Sequence, residues 1–262
     1  MKKFLGFLMM AALMATAFIA CNKDKNNTDN TPKASLIKTI TFSADWNRGA
    51  SGYEFFYDAN KKVTNFNRTY EGGADGAFVY DYSVAGKLTI TKDGEAYGSY
   101  DVNAQGYITK DYWNETDYAT YEYDANGYLI KSIEHWSDAD HLKYEIVITS
   151  GNISKITTYD DDGVTAKKIK EFTYTIGDNV DNLQQANVID SDWKPIGGLF
   201  GKASKKLVDY FEYWDPRNTP IEKSRSTLTY EFDTSNRASK VTKTLTDQTT
   251  EVWDYTYYEN VK

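Results

Sequence analysis

Tyr123-Asp124-Ala125-Asn126-Gly127, running on to Ile130 and Ile133, is the phrase on which the fold reading turns. An aromatic strand end gives way to a turn. Its aspartate can bond its own backbone, and Asn and Gly accept positive φ. A loop of that length suits a type I turn closed by a glycine bulge. The phrase recurs in worn form. Tyr57-Asp58-Ala59-Asn60 leads to Val63 and Phe66, Asp81-Tyr82 through Gly86 to Leu88 and Ile90, and Tyr100-Asp101 through Gly106 to Ile108. Ile148 leads through Gly151-Asn152 to Ile153 and Ile156, Tyr174 through Gly177-Asp178, and Phe232-Asp233-Thr234-Ser235-Asn236 to Val241. Anchors at 57, 82, 100, 123, 148 and 174 are 25, 18, 23, 25 and 26 residues apart, a spacing that marks a repeat or meander.

Before each turn the residues alternate. Tyr144, Ile146 and Ile148 share one face, as do Phe172, Tyr174 and Ile176, and Leu228, Tyr230 and Phe232. Period two in Tyr, Phe, Ile and Thr means half-buried strands. After each turn apolar residues recur three apart (Val63/Phe66, Ile130/Ile133, Ile153/Ile156), which breaks the alternation and predicts a bulge there. Two strands per unit joined by hairpins make the sheet antiparallel. The expectation is an all-β antiparallel meander of about 12–16 strands, forming one curved sheet or barrel-like domain over 35–262. A long connection at about 181–209, with Pro195, Gly197, Gly198 and Gly201 and a turn of helix near Lys205–Val208, interrupts it once. Strands resume near Tyr210 and again at Thr227.

Composition agrees. A chain of 262 residues that is 40% hydrophobic and 15% aromatic can build a large core, which excludes disorder as the main state. The single cysteine excludes a disulfide scaffold. The net charge of −8 argues against nucleic acid as partner, because phosphate binding needs a basic face.

Residues 1–20 read as a secretory leader: Lys2 and Lys3, an uncharged apolar run from Phe4 to Phe18, then small residues. Phe18-Ile19-Ala20-Cys21 resembles the lipobox of bacterial lipoproteins, with Cys21 the residue that takes the lipid. Several acyl chains hold a protein to a membrane where one would not. Asn22 to Ala34 form a polar tether, the 21–34 segment, in which Lys23-Asp24 partly resembles the acidic export tag of surface-exposed lipoproteins in Bacteroidetes. The expected place is the cell envelope, on the outer membrane.

Two features together resemble a known family. The tyrosine-aspartate hairpins look like the YD repeats of RHS-type proteins. Asn187-Val188-Ile189-Asp190, followed by Gly198-Leu199-Phe200-Gly201-Lys202-Ala203-Ser204-Lys205-Lys206-Leu207, is similar to the late signature of a Bacteroidetes lipoprotein family of unknown function with a porin-like fold. That resemblance implies a curved many-stranded β domain and no assigned chemistry. A spanning pore is not expected, since the faces opposite the core carry Thr227, Thr229 and Glu231, and the terminal Asn260-Val261-Lys262 lacks the aromatic common in outer-membrane barrels.

Candidate chemistry is sparse. His135 and His141 flank Asp138 and Asp140 without a familiar metal spacing, and read as a polar hairpin tip. Asp160-Asp161-Asp162-Gly163 lacks the twelve-residue calcium loop and reads as a solvated turn. Gly197–Ser204 fails the phosphate-loop spacing, and Ala203 replaces the metal-holding hydroxyl. No Gly-x-Ser-x-Gly elbow is present, so no catalytic residue, metal or cofactor is expected. The 22 Tyr and 6 Trp remain, and Tyr and Trp suit both sugar stacking and protein contact. Trp113 and Trp136 fall near predicted tips; Tyr210, Glu212 and Trp214 share one strand face. These five are the candidate ligand-binding residues of a lipid-anchored, non-enzymatic binding or scaffold domain for a glycan or envelope protein. A glycan-degrading enzyme and an envelope assembly factor are the alternatives.

Overall fold

A computed structural model describes residues 36–44, 48–70, 73–180, 183 and 198–259. The leader at 1–20, Cys21 and the 21–34 tether lie outside the described residues, as do Trp46, Asn187-Val188-Ile189-Asp190, Trp193, Pro195 and the chain end.

The described residues form sixteen strands: β1 Ile37–Ala44, β2 Arg48–Tyr57, β3 Val63–Tyr70, β4 Gly73–Asp81, β5 Lys87–Lys92, β6 Glu95–Val102, β7 Ile108–Tyr112, β8 Tyr118–Tyr123, β9 Leu129–His135, β10 Asp140–Thr149, β11 Asn152–Tyr159, β12 Ala166–Asp178, β13 Lys206–Trp214, β14 Ser224–Phe232, β15 Ala238–Thr244 and β16 Thr250–Tyr257. Each pairs antiparallel with its chain neighbours. β1 also pairs with β16, so the meander closes into a barrel. The long connection runs from the end of β12 at Asp178 to Lys206. Lys206–Val208 is strand rather than helix, and the strands resume at Lys206 and Ser224, earlier than the sequence pattern suggested. Leu207 and Val208 are buried, so packing overrides the lysine-rich look of that stretch.

The core lies inside the barrel. On β14, Ser226 and Leu228 are buried while Arg225, Thr227, Thr229 and Glu231 are exposed. Phe55, Phe66, Phe78, Leu88, Ile90, Ile108 and Ile156 are almost fully buried on the same inner surface. The outer wall carries cross-strand ion pairs: Arg225–Glu212 at 2.7 Å, Lys240–Glu231 at 3.1 Å and Lys131–Glu122 at 3.7 Å. A membrane-spanning barrel has the opposite polarity, apolar outside and polar within.

The worn phrase shares one geometry at four of its seven places; Gly177-Asp178, read as a turn, is instead the end of β12, which runs on before the long connection. Asp58, Asn103, Asp124 and Asp233 each start a turn and accept two backbone amides on one side-chain oxygen, two and four residues on, at 2.8–3.0 Å. The fourth residue of each turn (Lys61, Gly106, Gly127, Asn236) takes the positive φ.

The bulges lie where the three-residue spacing put them. Ladder registers skip Thr64, Thr109, Ser154 and Ser239. Each of those hydroxyls donates to a carbonyl on the preceding strand, at 3.1–3.3 Å. In β9 the skipped residue is Ile130. The buried pair there is Leu129 and Ser132, not Ile130 and Ile133, because the bulge falls one residue after the first core position.

A bulge interrupts the ladder and leaves the preceding carbonyl short of a partner. Tyrosine supplies one. Tyr57, Tyr123, Tyr174, Tyr230 and Tyr257 donate to the carbonyls of Ile37, Ile108, Ile153, Val208 and Ala238 at 2.8, 2.6, 2.5, 2.6 and 2.7 Å. Each acceptor directly precedes a skipped residue, and each donor stands on the following strand. Much of the tyrosine is therefore architecture.

Candidate functional site

In an up-and-down barrel, turns after odd strands share one end and turns after even strands the other. The second end is crossed by a strap, Gly198–Lys205. Leu199 accepts from the Ile108 amide at 2.7 Å, Lys202 donates to Gly127 at 2.9 Å, and Lys205 donates to Gly151 at 3.0 Å. The strap thus ties β7, the β8–β9 turn and the β10–β11 turn in succession. Leu199 and Phe200 point into the core, where Phe200 meets Tyr121 edge-on at 4.9 Å. Gly201 needs its glycine: its φ is 84°, and an added Cβ would stand 2.6 Å from the Gly127 carbonyl. Ser204 is buried, accepts from the Ile153 amide at 3.0 Å and shares a bond with the Tyr174 hydroxyl at 2.8 Å. The glycine-lysine-serine segment is a structural tie along the rim.

The first end, the mouth, carries Trp113 and Trp136. Each begins a tight turn: the Trp113 amide donates to Asp117 at 3.0 Å and the Trp136 amide to Ala139 at 3.0 Å. Asn114 stiffens the first turn by accepting from the Thr116 and Asp117 amides at 2.8 Å each. The two indoles meet across the start of β8 with centroids 5.0 Å apart and planes tilted by 49°. They stay 42% and 44% exposed. An open groove of about 590 Å³ lies beside them, walled also by Glu134, Asp138, His141, Lys143 and Asp161. Sequence reading placed both tryptophans at tips. It could not show that they touch, nor that β9, β10 and the Asp161 turn wall the same groove.

The other candidates lie elsewhere. Tyr210, Glu212 and Trp214 do share a face of β13, the outer one, and cations already cover it. Arg225 lies 4.1 Å over Tyr210 and bonds Glu212 at 2.7 Å; Lys223 lies 4.0 Å over Trp214. The hydrogen bond from Arg225 holds the Glu212 carboxyl below its ordinary range. His135 is bonded through both nitrogens, to Asp140 at 2.6 Å and Thr120 at 2.8 Å, and stacks on Tyr118 at 4.4 Å. Asp160 pairs with Arg217 and Lys167. Asp162 folds its own turn: the Thr165 hydroxyl and the Val164 and Thr165 amides pull its carboxyl down to about 2. Among the described residues no three His, Cys, Asp or Glu side chains gather as metal ligands.

Fold and site together define a closed sixteen-strand antiparallel barrel whose described residues pack an apolar core inside, with a strap along one end and an aromatic mouth at the other. Among solved structures it is similar to a porin-like protein from Bacteroides uniformis ATCC 8492, at 14% identity over 85% of this chain and 98% of that one, with a TM-score of 0.65. It is also similar to a porin-like protein from Bacteroides vulgatus ATCC 8482, at 12% identity over 86% of this chain and all of that one, with a TM-score of 0.57. At such identities the likeness concerns the fold, and the expected porin-like β architecture is present. No family model and no curated protein matches the chain.

Proposed function

We propose that this chain is a lipid-anchored, non-enzymatic binding protein of the cell envelope that holds a glycan at the mouth of its barrel. The single observation that carries the binding reading is the exposed Trp113–Trp136 pair beside an open groove. Two indoles fixed by turn backbones, their planes 49° apart, offer exposed apolar faces with polar handles, the kind of surface on which a sugar ring stacks. A groove of about 590 Å³ falls within the range of small-ligand sites. The anchoring reading rests on Phe18-Ile19-Ala20-Cys21 and on the resemblance to a Bacteroidetes lipoprotein family. The porin-like neighbours from Bacteroides are in keeping with an envelope location. A conducting role is disfavoured by the apolar packing inside, the strap and the charged outer wall.

Tryptophan fluorescence titrated with a panel of glycans tests the binding reading. At least one glycan shifts the emission of the native chain, and Trp136→Ala abolishes that shift while circular dichroism stays that of the native barrel. No response to any glycan, or an unchanged response in Trp136→Ala, overturns it.

A further inference from the structure

We infer that the glycan held at the mouth is an amino sugar bearing a free ammonium group; this rests on the glycan reading above and adds the charge of the ligand. The groove's charges are unevenly committed. The Lys143 ammonium lies 3.4 Å from the Glu134 carboxylate, so that pair largely cancels. Asp138 and Asp161 are exposed on turns after two different odd strands, and neither makes a hydrogen bond or ion pair within the described residues. The uncommitted charge facing a ligand is therefore negative. Indole faces attract cations as well, and the two Trp rings stand in the same groove. His141 also lines it, its Nδ1 turned away from the open space and buried. A sugar amine can stack its ring on tryptophan while its ammonium meets the two aspartates. An acidic sugar would meet repulsion from the same pair.

A basic peptide shares the charge but lacks a foothold. Peptides commonly gain affinity by adding a strand to a free sheet edge, and here every described strand is paired on both sides. A sugar needs no ladder.

Calorimetry on the full chain separates the cases with three probes: a glucosamine tetramer with free amines, its fully N-acetylated form, and tetralysine. The free-amine sugar is expected to bind about tenfold more tightly than the N-acetylated one at low salt, roughly what two exposed charge contacts supply, with the advantage shrinking as salt is added. The double variant Asp138→Asn, Asp161→Asn is expected to erase the difference while keeping the weaker, charge-independent binding, and Trp136→Ala to lose both. Equal binding of the two sugars overturns the inference and leaves the glycan reading standing. Binding of neither sugar overturns both. Tetralysine binding as tightly as the amine sugar, and failing equally in the double aspartate variant, overturns the amino sugar in favour of a basic peptide. Both aspartates are exposed and make no hydrogen bond or ion pair among the described residues, so the variants keep the fold.

Discussion

A tyrosine hydroxyl at a bulge does two things at once. It fills the carbonyl that the interrupted ladder leaves open, and it lets a large ring pack in the core without an unsatisfied oxygen. The consequence is alkaline sensitivity. Burial pushes the Tyr174 phenol up to about 12, and burial pushes Tyr123 and Tyr230 higher still. In the unfolded chain each ionises near its ordinary value of 10. Below that pH both states keep the proton and the stabilisation is complete. Between 10 and 12 the unfolded state sheds protons that the folded state retains, so stability falls with rising pH and is lost as the folded phenols ionise. Absorbance of tyrosinate and far-ultraviolet circular dichroism, followed together, should show the buried phenols ionising in the same transition that destroys the sheet. Their ionisation near pH 10 in an intact barrel would refute this.

At the level of the element, the unit is the even strand, its Asx turn and the bulged odd strand that follows. Asp124 shows what the turn needs. Burial pushes its carboxyl up, but the Tyr128 and Asn126 amides outweigh that and hold it below the ordinary range. The same turn at Asn103 accepts the equivalent amides with a neutral amide oxygen. So the acceptor matters more than the charge. Asp124→Asn should cost well under 1 kcal/mol, and Asp124→Ala, which strands two amides, about 1–2 kcal/mol. Urea unfolding of the two variants checks the order; equal losses would mean that the charge, not the acceptor, shapes the turn. The periodic tyrosine, aspartate and glycine made these units legible, since turn and bulge are local events with local residue preferences. The Ile130/Ile133 spacing misled because register decides which of two neighbouring apolar residues faces inward, and register is a property of the strand pair.

At the scale of the barrel, apolar side chains turn inward and charges outward. An apolar interior and an ion-paired outer wall are the reverse of a membrane-spanning barrel's polarity, so on the proposed reading it is the lipid on Cys21, not the barrel, that holds the chain to a membrane. The expected result is that Cys21→Ser moves the protein from the membrane to the soluble fraction, and that the purified chain adds no conductance to a planar lipid bilayer. Ion-conducting steps, or membrane retention of Cys21→Ser, would contradict that picture.

The chain's own order of residues determined the all-β class, the antiparallel pairing, the turns at Asp58, Asn103, Asp124, Gly151 and Asp233 and the placing of Trp113 and Trp136 at tips, because hairpins are encoded within a span of about twenty-five residues. Three things were settled only in three dimensions. Closure of β1 onto β16 joins the first and last described strands, some two hundred residues apart in the chain. The strap lies along one end because Leu199 and Phe200 find their core among strands more than seventy residues earlier, Tyr121 among them. The groove exists because turns after three separate odd strands gather at one mouth. Each depends on contacts between residues far apart in the chain, and such contacts leave no period, spacing or local preference for a sequence to display.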